Sequence, residues 1–226
     1  MPVQRAATMV STSDAIVITS PPSRFVSRGG EKLDGALRDF GISVENKRWL
    51  DAGASTGGFT DRLLQGGAQA VAAVDVGYGQ LHWKLRTDER VIVMERTNVR
   101  DLTPGDLPWE PEGVVADLSF ISLVKVLEVL GQVSSDEADL VLLVKPQFEA
   151  GRSHVGKGGV VKDPAAWELA MRSVVETAKG CGMGLVNATV SDLKGPAGNV
   201  EFFVHLRKRH DSDMGTLLSA LERATG

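Results

Sequence analysis

Short apolar runs alternate with segments of helical periodicity along most of this 226-residue chain, and this alternation limits the possible folds more than any other feature. Strand-sized runs lie at 48–52, 70–74, 91–94, 114–116 and 139–144, and helical patterns lie at 31–40, 59–65, 121–130 and 164–179. Strands that alternate with helices form a mostly parallel sheet with helices on both faces. We therefore predict a doubly wound α/β fold with a mostly parallel, seven-stranded sheet. Two late strands, at 184–191 and 201–207, complete it and are expected to pair antiparallel.

The overall composition restricts the class of protein. With 42% hydrophobic residues, the chain is typical of a soluble globular domain, and its net charge of −4 argues against a general nucleic-acid binder. Its single cysteine, Cys181, excludes an internal disulfide and a cysteine-based zinc cluster. No apolar run is long enough to span a bilayer. We therefore expect a cytoplasmic protein that needs neither a membrane nor a metal.

Chemically useful residues follow the predicted strands at one edge of the sheet. Asp51 precedes a glycine-rich turn, and Asp75, Asp117 and Lys145 each end or directly follow an apolar run. In such sheets the ligand binds beyond the carboxyl ends of the strands. These residues are therefore candidates for one common site.

The turn at 50–60 predicts a small-molecule site, although a tight turn without a ligand remains an alternative. Its glycine spacing differs from the dinucleotide and triphosphate motifs. An acid before the turn, Asp51, suits a ligand with an ammonium group. Asp75 could receive ribose hydroxyls or cap a helix, and Asn98 could read an adenine edge or make a turn. Asp117 and Lys145 should face the same crevice, as a reactive pair or as a structural salt bridge.

Several long segments together resemble one family. The segments 27–33, 51–61, 116–122, 144–149 and 198–201 are similar to the TlyA (hemolysin A-like) rRNA 2′-O-methyltransferases of the FtsJ/RrmJ-like group. The resemblance extends over residues 25–208. It implies the cofactor S-adenosylmethionine and, as partner, ribosomal RNA or ribosomal subunits, with a cytidine as the expected nucleotide.

The resemblance also implies roles for individual residues. A tetrad for ribose methylation falls on Lys32, Asp117, Lys145 and Glu201, in which Lys145 contacts the hydroxyl as a base or as an orienting group. Contacts to S-adenosylmethionine fall on Asp51, Gly53, Ser55, Thr56, Gly57, Gly58, Phe59, Asp75, Asn98 and Asp117.

A basic, glycine-rich segment at 151–162 could close over RNA phosphates or be an ordinary surface loop. The candidate RNA-binding residues are Arg28, Arg152, Lys157 and Lys162. Family members carry a small N-terminal RNA-binding module. Residues 1–23 are expected to be its remnant and a linker, residues 24–210 the methyltransferase domain, and residues 211–226 a C-terminal helix or tail.

Three other functions compete with this interpretation. A methyltransferase of another substrate would keep the cofactor turn without needing two lysines. A membrane-active cytolysin, suggested by the family's hemolysin name, should offer an amphipathic or membrane-spanning segment, which the sequence lacks. A non-catalytic RNA-binding module would not need the tetrad.

Overall fold

The computed structural model describes residues 23–225, together with Met9 and Ser11. Within them, seven strands share one sheet: β1 (Arg48–Ala52), β2 (Ala70–Asp75), β3 (Val91–Glu95), β4 (Gly113–Ala116), β5 (Asp139–Val144), β6 (Met183–Val190) and β7 (Phe202–Lys208). The helices are α1 (Arg28–Phe40), α2 (Gly58–Gln65), α3 (Trp83–Arg86), α4 (Leu127–Val133), α5 (Pro146–Glu149), α6 (Pro164–Gly180) and α7 (Met214–Thr225). The N-terminal remnant expected at 1–23 lies almost wholly outside the described residues.

The strand order is β3-β2-β1-β4-β5-β7-β6. The first five strands in this order run parallel, whereas β7 is antiparallel to both β5 and β6. The predicted doubly wound, mostly parallel fold is confirmed, and so is the antiparallel pairing of the late strands. Because the chain winds outward in opposite directions from β1 and β4, a crevice opens between the carboxyl ends of these two neighbours.

Most central strands are nearly continuous apolar runs because both faces of the sheet are covered, whereas β1 also contains Arg48 and Asp51. In β5, Leu140 and Leu142 face a core shared with α4, α6 and α7, whereas Val141 and Leu143 face a core shared with α1 and α2. Leu217 on α7 is fully buried in the first of these cores. Among the described residues, no helix is long and apolar enough to cross a membrane.

The helix predicted at 121–130 is wrong in its first half. The chain forms a 3₁₀ turn at Leu123–Lys125 and only then enters α4. The Glu149 carboxylate causes the difference, because it accepts hydrogen bonds from the Ser122 hydroxyl (2.5 Å) and the Leu123 amide (2.8 Å). These bonds fix the loop before α4 to the end of α5. The short helices α3 and α5 carry too few residues to show a periodicity and were not predicted.

Candidate active site

The glycine-rich turn after β1 lies against the end of β4. Gly53 has a φ of 87°, and a Cβ atom there would lie 2.8 Å from the carbonyl oxygen of Asp117. Only glycine therefore fits between the two strand ends without displacing one of them. The Gly53 and Ala54 amides donate to the Val74 carbonyl, at 2.8 and 3.1 Å, which ties the turn to β2.

Asp51 is a fully buried carboxyl at the bottom of the turn. Its Oδ2 accepts hydrogen bonds from the Thr60 amide (2.9 Å) and the Thr60 hydroxyl (2.6 Å), whereas its buried Oδ1 has no partner. Burial raises the pKa of Asp51 to about 7, despite the Thr60 hydrogen bonds, and the nearby Asp117 and Asp75 carboxylates add to the rise. Asp51 thus offers a free acceptor to a cationic group of a ligand.

Asp75 and Asn98 line a cavity of about 500 Å³ on the β2 side of the crevice. The Asp75 carboxylate accepts from the Ser55 amide (2.8 Å) and the Gly77 amide (2.7 Å), so it braces the turn. Asn98 caps a 3₁₀ turn by accepting from the Arg100 amide at 3.1 Å, as its turn-forming alternative predicted. Its side chain nonetheless borders the cavity.

Four charged side chains meet around a second cavity of about 390 Å³, which shares Gly53, Ser55, Asp117 and Ser119 with the first. Lys32 Nζ lies 2.5 Å from Glu201 Oε2, and both side chains are buried. Lys145 Nζ lies 2.5 Å from Asp117 Oδ1 and donates to the Ser119 hydroxyl at 2.9 Å. The Lys145–Asp117 contact is an ion pair without the alignment of a hydrogen bond, since Asp117 Oδ1 has no hydrogen-bond partner. We call Lys32, Asp117, Lys145 and Glu201 the tetrad.

Glycines allow the distant members of the tetrad to approach the strand ends. A Cβ atom at Gly58 would lie 2.2 Å from the Ser27 hydroxyl, so this glycine lets the start of α1, and with it Lys32, pack on α2. A Cβ atom at Gly195 would lie 2.5 Å from Glu201 Oε1. The loop before β7 can therefore wrap closely around the Glu201 carboxylate.

The predicted site residues do not all line the two cavities. The tetrad, Arg28 and most of the turn do so, whereas Gly57 does not. Its φ is 95°, and its missing side chain makes room for Leu81 and Leu85. Arg152, Lys157 and Lys162 are exposed and line neither cavity.

Sequence reasoning missed Ser119 and Thr60 as site residues. Ser119 binds Lys145, and Thr60 holds Asp51. Ser119 lies within the segment 116–122, but nothing in its pattern marks it as the partner of a lysine 26 positions away. Thr60 sits on α2 nine positions after Asp51, and only the turn geometry joins the two.

Several known proteins are similar to this chain in both sequence and fold. Residues 25–208 match the FtsJ-like methyltransferase family. The chain is 50% identical over 227 residues to the 16S/23S rRNA (cytidine-2′-O)-methyltransferase TlyA of Mycobacterium tuberculosis, covering 99% of this chain and 85% of that protein. A crystal structure of a protein described as a hemolysin, from Lactococcus lactis, has a TM-score of 0.86 at 42% identity and covers 90% of this chain and 99% of that one.

A more distant solved structure shares the fold alone. Fibrillarin of Aeropyrum pernix, solved with natively bound S-adenosyl-L-methionine, has a TM-score of 0.57 at 15% identity, covering 79% of this chain and 76% of that one.

Proposed function

The chain belongs to the FtsJ-like methyltransferase family, and from this premise we propose that it is an S-adenosylmethionine-dependent enzyme that methylates the ribose 2′-hydroxyl of a cytidine in ribosomal RNA. Residues 24–210 are proposed as the methyltransferase domain. The relative with 50% identity has this activity by name. One observation carries the proposal. Two lysine–carboxylate pairs line a single cavity, and this cavity also borders Asp51, whose buried Oδ1 has no hydrogen-bond partner.

The residues around the crevice fit the cofactor. When bound, S-adenosylmethionine supplies a methyl group that its positively charged sulfur activates for displacement. The free Asp51 Oδ1 would accept from a cationic amine, and Asp75, at the end of β2, would accept from ribose hydroxyls. Gly53 lines both cavities, so its backbone can contact a ligand there. Asn98 borders the same cavity and would meet the adenine edge.

Lys145 is proposed to contact the attacking hydroxyl. In its ammonium form it would orient the hydroxyl oxygen by donating a hydrogen bond, and in its neutral form it would accept the proton released as oxygen bonds to carbon. Asp117 and Ser119 hold the Lys145 amine from two sides, at 2.5 and 2.9 Å. They therefore fix its position, which is what an in-line displacement requires.

Lys32 would stabilise the negative charge that develops on the attacking oxygen. Its amine borders the same cavity and is held by Glu201 in a buried ion pair. Positive charge in a partly dehydrated site stabilises a developing alkoxide more strongly than it would in water. Glu201 acts through Lys32, so it is a positioning residue.

The basic segment at 151–162, the basic loop, is proposed to bind RNA phosphates. Its three cations, Arg152, Lys157 and Lys162, are exposed and form no ion pair with a described residue, and we call them the loop cations. Unpaired cations on a glycine-rich loop can release counterions from RNA without losing existing salt bridges. Arg28 lines the tetrad cavity and donates to the Lys194 carbonyl at 2.9 Å. It would contact RNA closer to the reacting ribose.

The deciding experiment follows labelled methyl from S-adenosylmethionine into naked rRNA, intact ribosomal subunits and total protein. We expect a 2′-O-methylated cytidine in rRNA, lost with Lys145→Ala and retained with Lys125→Ala, an exposed lysine on the neighbouring 3₁₀ turn. Label in protein alone would favour a methyltransferase of another substrate. Lysis of erythrocytes without any methyl transfer would favour a cytolysin and contradict the proposal.

A further inference from the structure

Asn199 is a buried amide that joins the basic loop to the chain leading into β7. It is 2% exposed and lies two positions before Glu201. Its Nδ2 donates to the Gly159 carbonyl and its Oδ1 accepts from the Val161 amide, both at 2.9 Å. The two ends of one side chain thus bind the backbone of the same loop, across 40 and 38 sequence positions.

The backbone of Asn199 also shapes the surroundings of Glu201. Its carbonyl accepts from the Gly195 amide at 2.9 Å, which closes a tight loop between β6 and β7. Gly195 is the residue whose missing side chain makes room for Glu201 Oε1. Asn199 therefore contacts the basic loop with its side chain and holds the Glu201 segment with its main chain.

We propose that Asn199 is a positioning residue that couples the basic loop to the Lys32–Glu201 ion pair; this inference rests on the proposed function. Consecutive Cα atoms are about 3.8 Å apart, so a shift of Asn199 reaches Glu201 across only two peptide bonds. When RNA phosphates bind the loop, Gly159 and Val161 hold Asn199 in place through its two side-chain hydrogen bonds. Glu201, which is already paired with Lys32 at 2.5 Å, is then restrained in that position, so the ion pair is held most firmly when RNA is engaged.

A second anchor of the basic loop provides a matched control. Trp167 Nε1 donates to the Val161 carbonyl at 3.0 Å, and its ring packs on Phe202. Trp167→Phe removes this hydrogen bond but keeps an aromatic ring against Phe202. It should loosen the loop while leaving the Asn199 link to the Glu201 segment in place.

The test compares Asn199→Ala, Asn199→Asp and Trp167→Phe in the full chain. Trypsin cleavage after the exposed Arg152 and Lys157 reports loop attachment, calorimetry gives the Kd for S-adenosylmethionine, and methyl transfer gives kcat and the KM for rRNA. If Asn199→Ala does not fold, Asn199→Asp carries the test, because it is nearly isosteric and keeps the acceptor for Val161.

We expect faster cleavage and a higher KM for rRNA in all three variants, with the Kd for the cofactor within about twofold of wild type. Only the Asn199 variants should also lose kcat, by roughly tenfold or more, because misplacement by about 1 Å can cost up to about 100-fold. An unchanged kcat in the Asn199 variants would overturn the coupling, and so would an equal loss of kcat in Trp167→Phe.

Failure of the proposed function gives a different pattern. If the wild-type protein transfers no methyl to rRNA, the proposed function is wrong. The rate of trypsin cleavage is then the only test of whether Asn199 anchors the basic loop. In that case, cleavage of the Asn199 variants at the wild-type rate would overturn the role of Asn199 as well.

Discussion

Replacing Asp51 by asparagine is expected to change how the folding stability of the cofactor-free protein depends on pH. The folded-state pKa of Asp51 is about 7, against an ordinary value of 3.8. Because the folded state binds the proton more tightly than the unfolded state, the contribution of Asp51 to stability is full below pH 4 and is lost as pH rises to 7. One pKa unit corresponds to about 1.4 kcal/mol, so the full loss is about 4 kcal/mol, of which more than half falls between pH 5 and pH 8.

Urea denaturation of both proteins at several pH values between 5 and 8 measures this loss. Asparagine cannot titrate, so the free energy of unfolding of the variant should gain about 2–3 kcal/mol over that of wild type as pH rises from 5 to 8. Using identical buffers cancels the titration of the groups that do not interact with Asp51. A stability difference that does not change with pH would refute the reasoning, because it would mean that Asp51 is already ionised at pH 5 in the folded protein.

The same carboxyl should control cofactor binding in the opposite sense. A cationic amine binds the ionised form, so the affinity for S-adenosylmethionine should rise about tenfold per pH unit up to a plateau near pH 7. Calorimetry below pH 7 tests this, and Asp51→Asn should bind weakly with no such slope. A wild-type Kd that stays constant from pH 5 to 8 would mean that Asp51 does not bind the amine of the cofactor.

Three further predictions concern the other parts of the site. Lys145→Ala should lower kcat by roughly 100-fold or more with little change in the cofactor Kd, whereas Lys125→Ala should behave as wild type; a near-normal kcat would remove Lys145 from the mechanism. Neutralising the loop cations together should weaken RNA binding and reduce the slope of log K against log salt by about 2, and an unchanged slope would mean that they do not contact phosphates. Gly53→Ala should destabilise the protein by about 1–3 kcal/mol in thermal denaturation, because its φ is 87° and its Cβ would meet the Asp117 carbonyl; equal stability would show that the strand ends can separate.

Local patterns predicted the fold well because most central strands, such as β2, β4 and β5, are nearly continuous apolar runs that can be recognised without their partners. The bounds of β1 and β5 agree with the prediction to the residue, and the first helix begins three residues earlier than predicted, at Arg28. The predicted helix at 121–130 was wrong because the carboxylate that reshapes its start, Glu149, comes from another element. A contact across 26 positions leaves no mark on local periodicity.

Residue patterns grouped Asp117 with Lys145, since both follow parallel strands that are neighbours in the sheet. They could not group Lys32 with Glu201, which lie 169 positions apart on α1 and just before the antiparallel strand β7. Only the resemblance to a family joined all four. Neither the residue patterns nor the family resemblance indicated that Asn199 binds the basic loop. The contact consists of two side-chain hydrogen bonds to backbone groups, which leave no pattern in the sequence.

The position of β7 has a consequence for the order in which a newly made chain acquires its function. β7 is the sixth strand in the sheet but the last to be synthesised, and it inserts between β5 and β6. A nascent chain that has emerged only as far as β6 can already pair Lys145 with Asp117, yet Lys32 has no acid to hold it. The tetrad is therefore completed only after Glu201 has been synthesised and β7 has paired with β5, so the assembly of the sheet and of the site end in the same step.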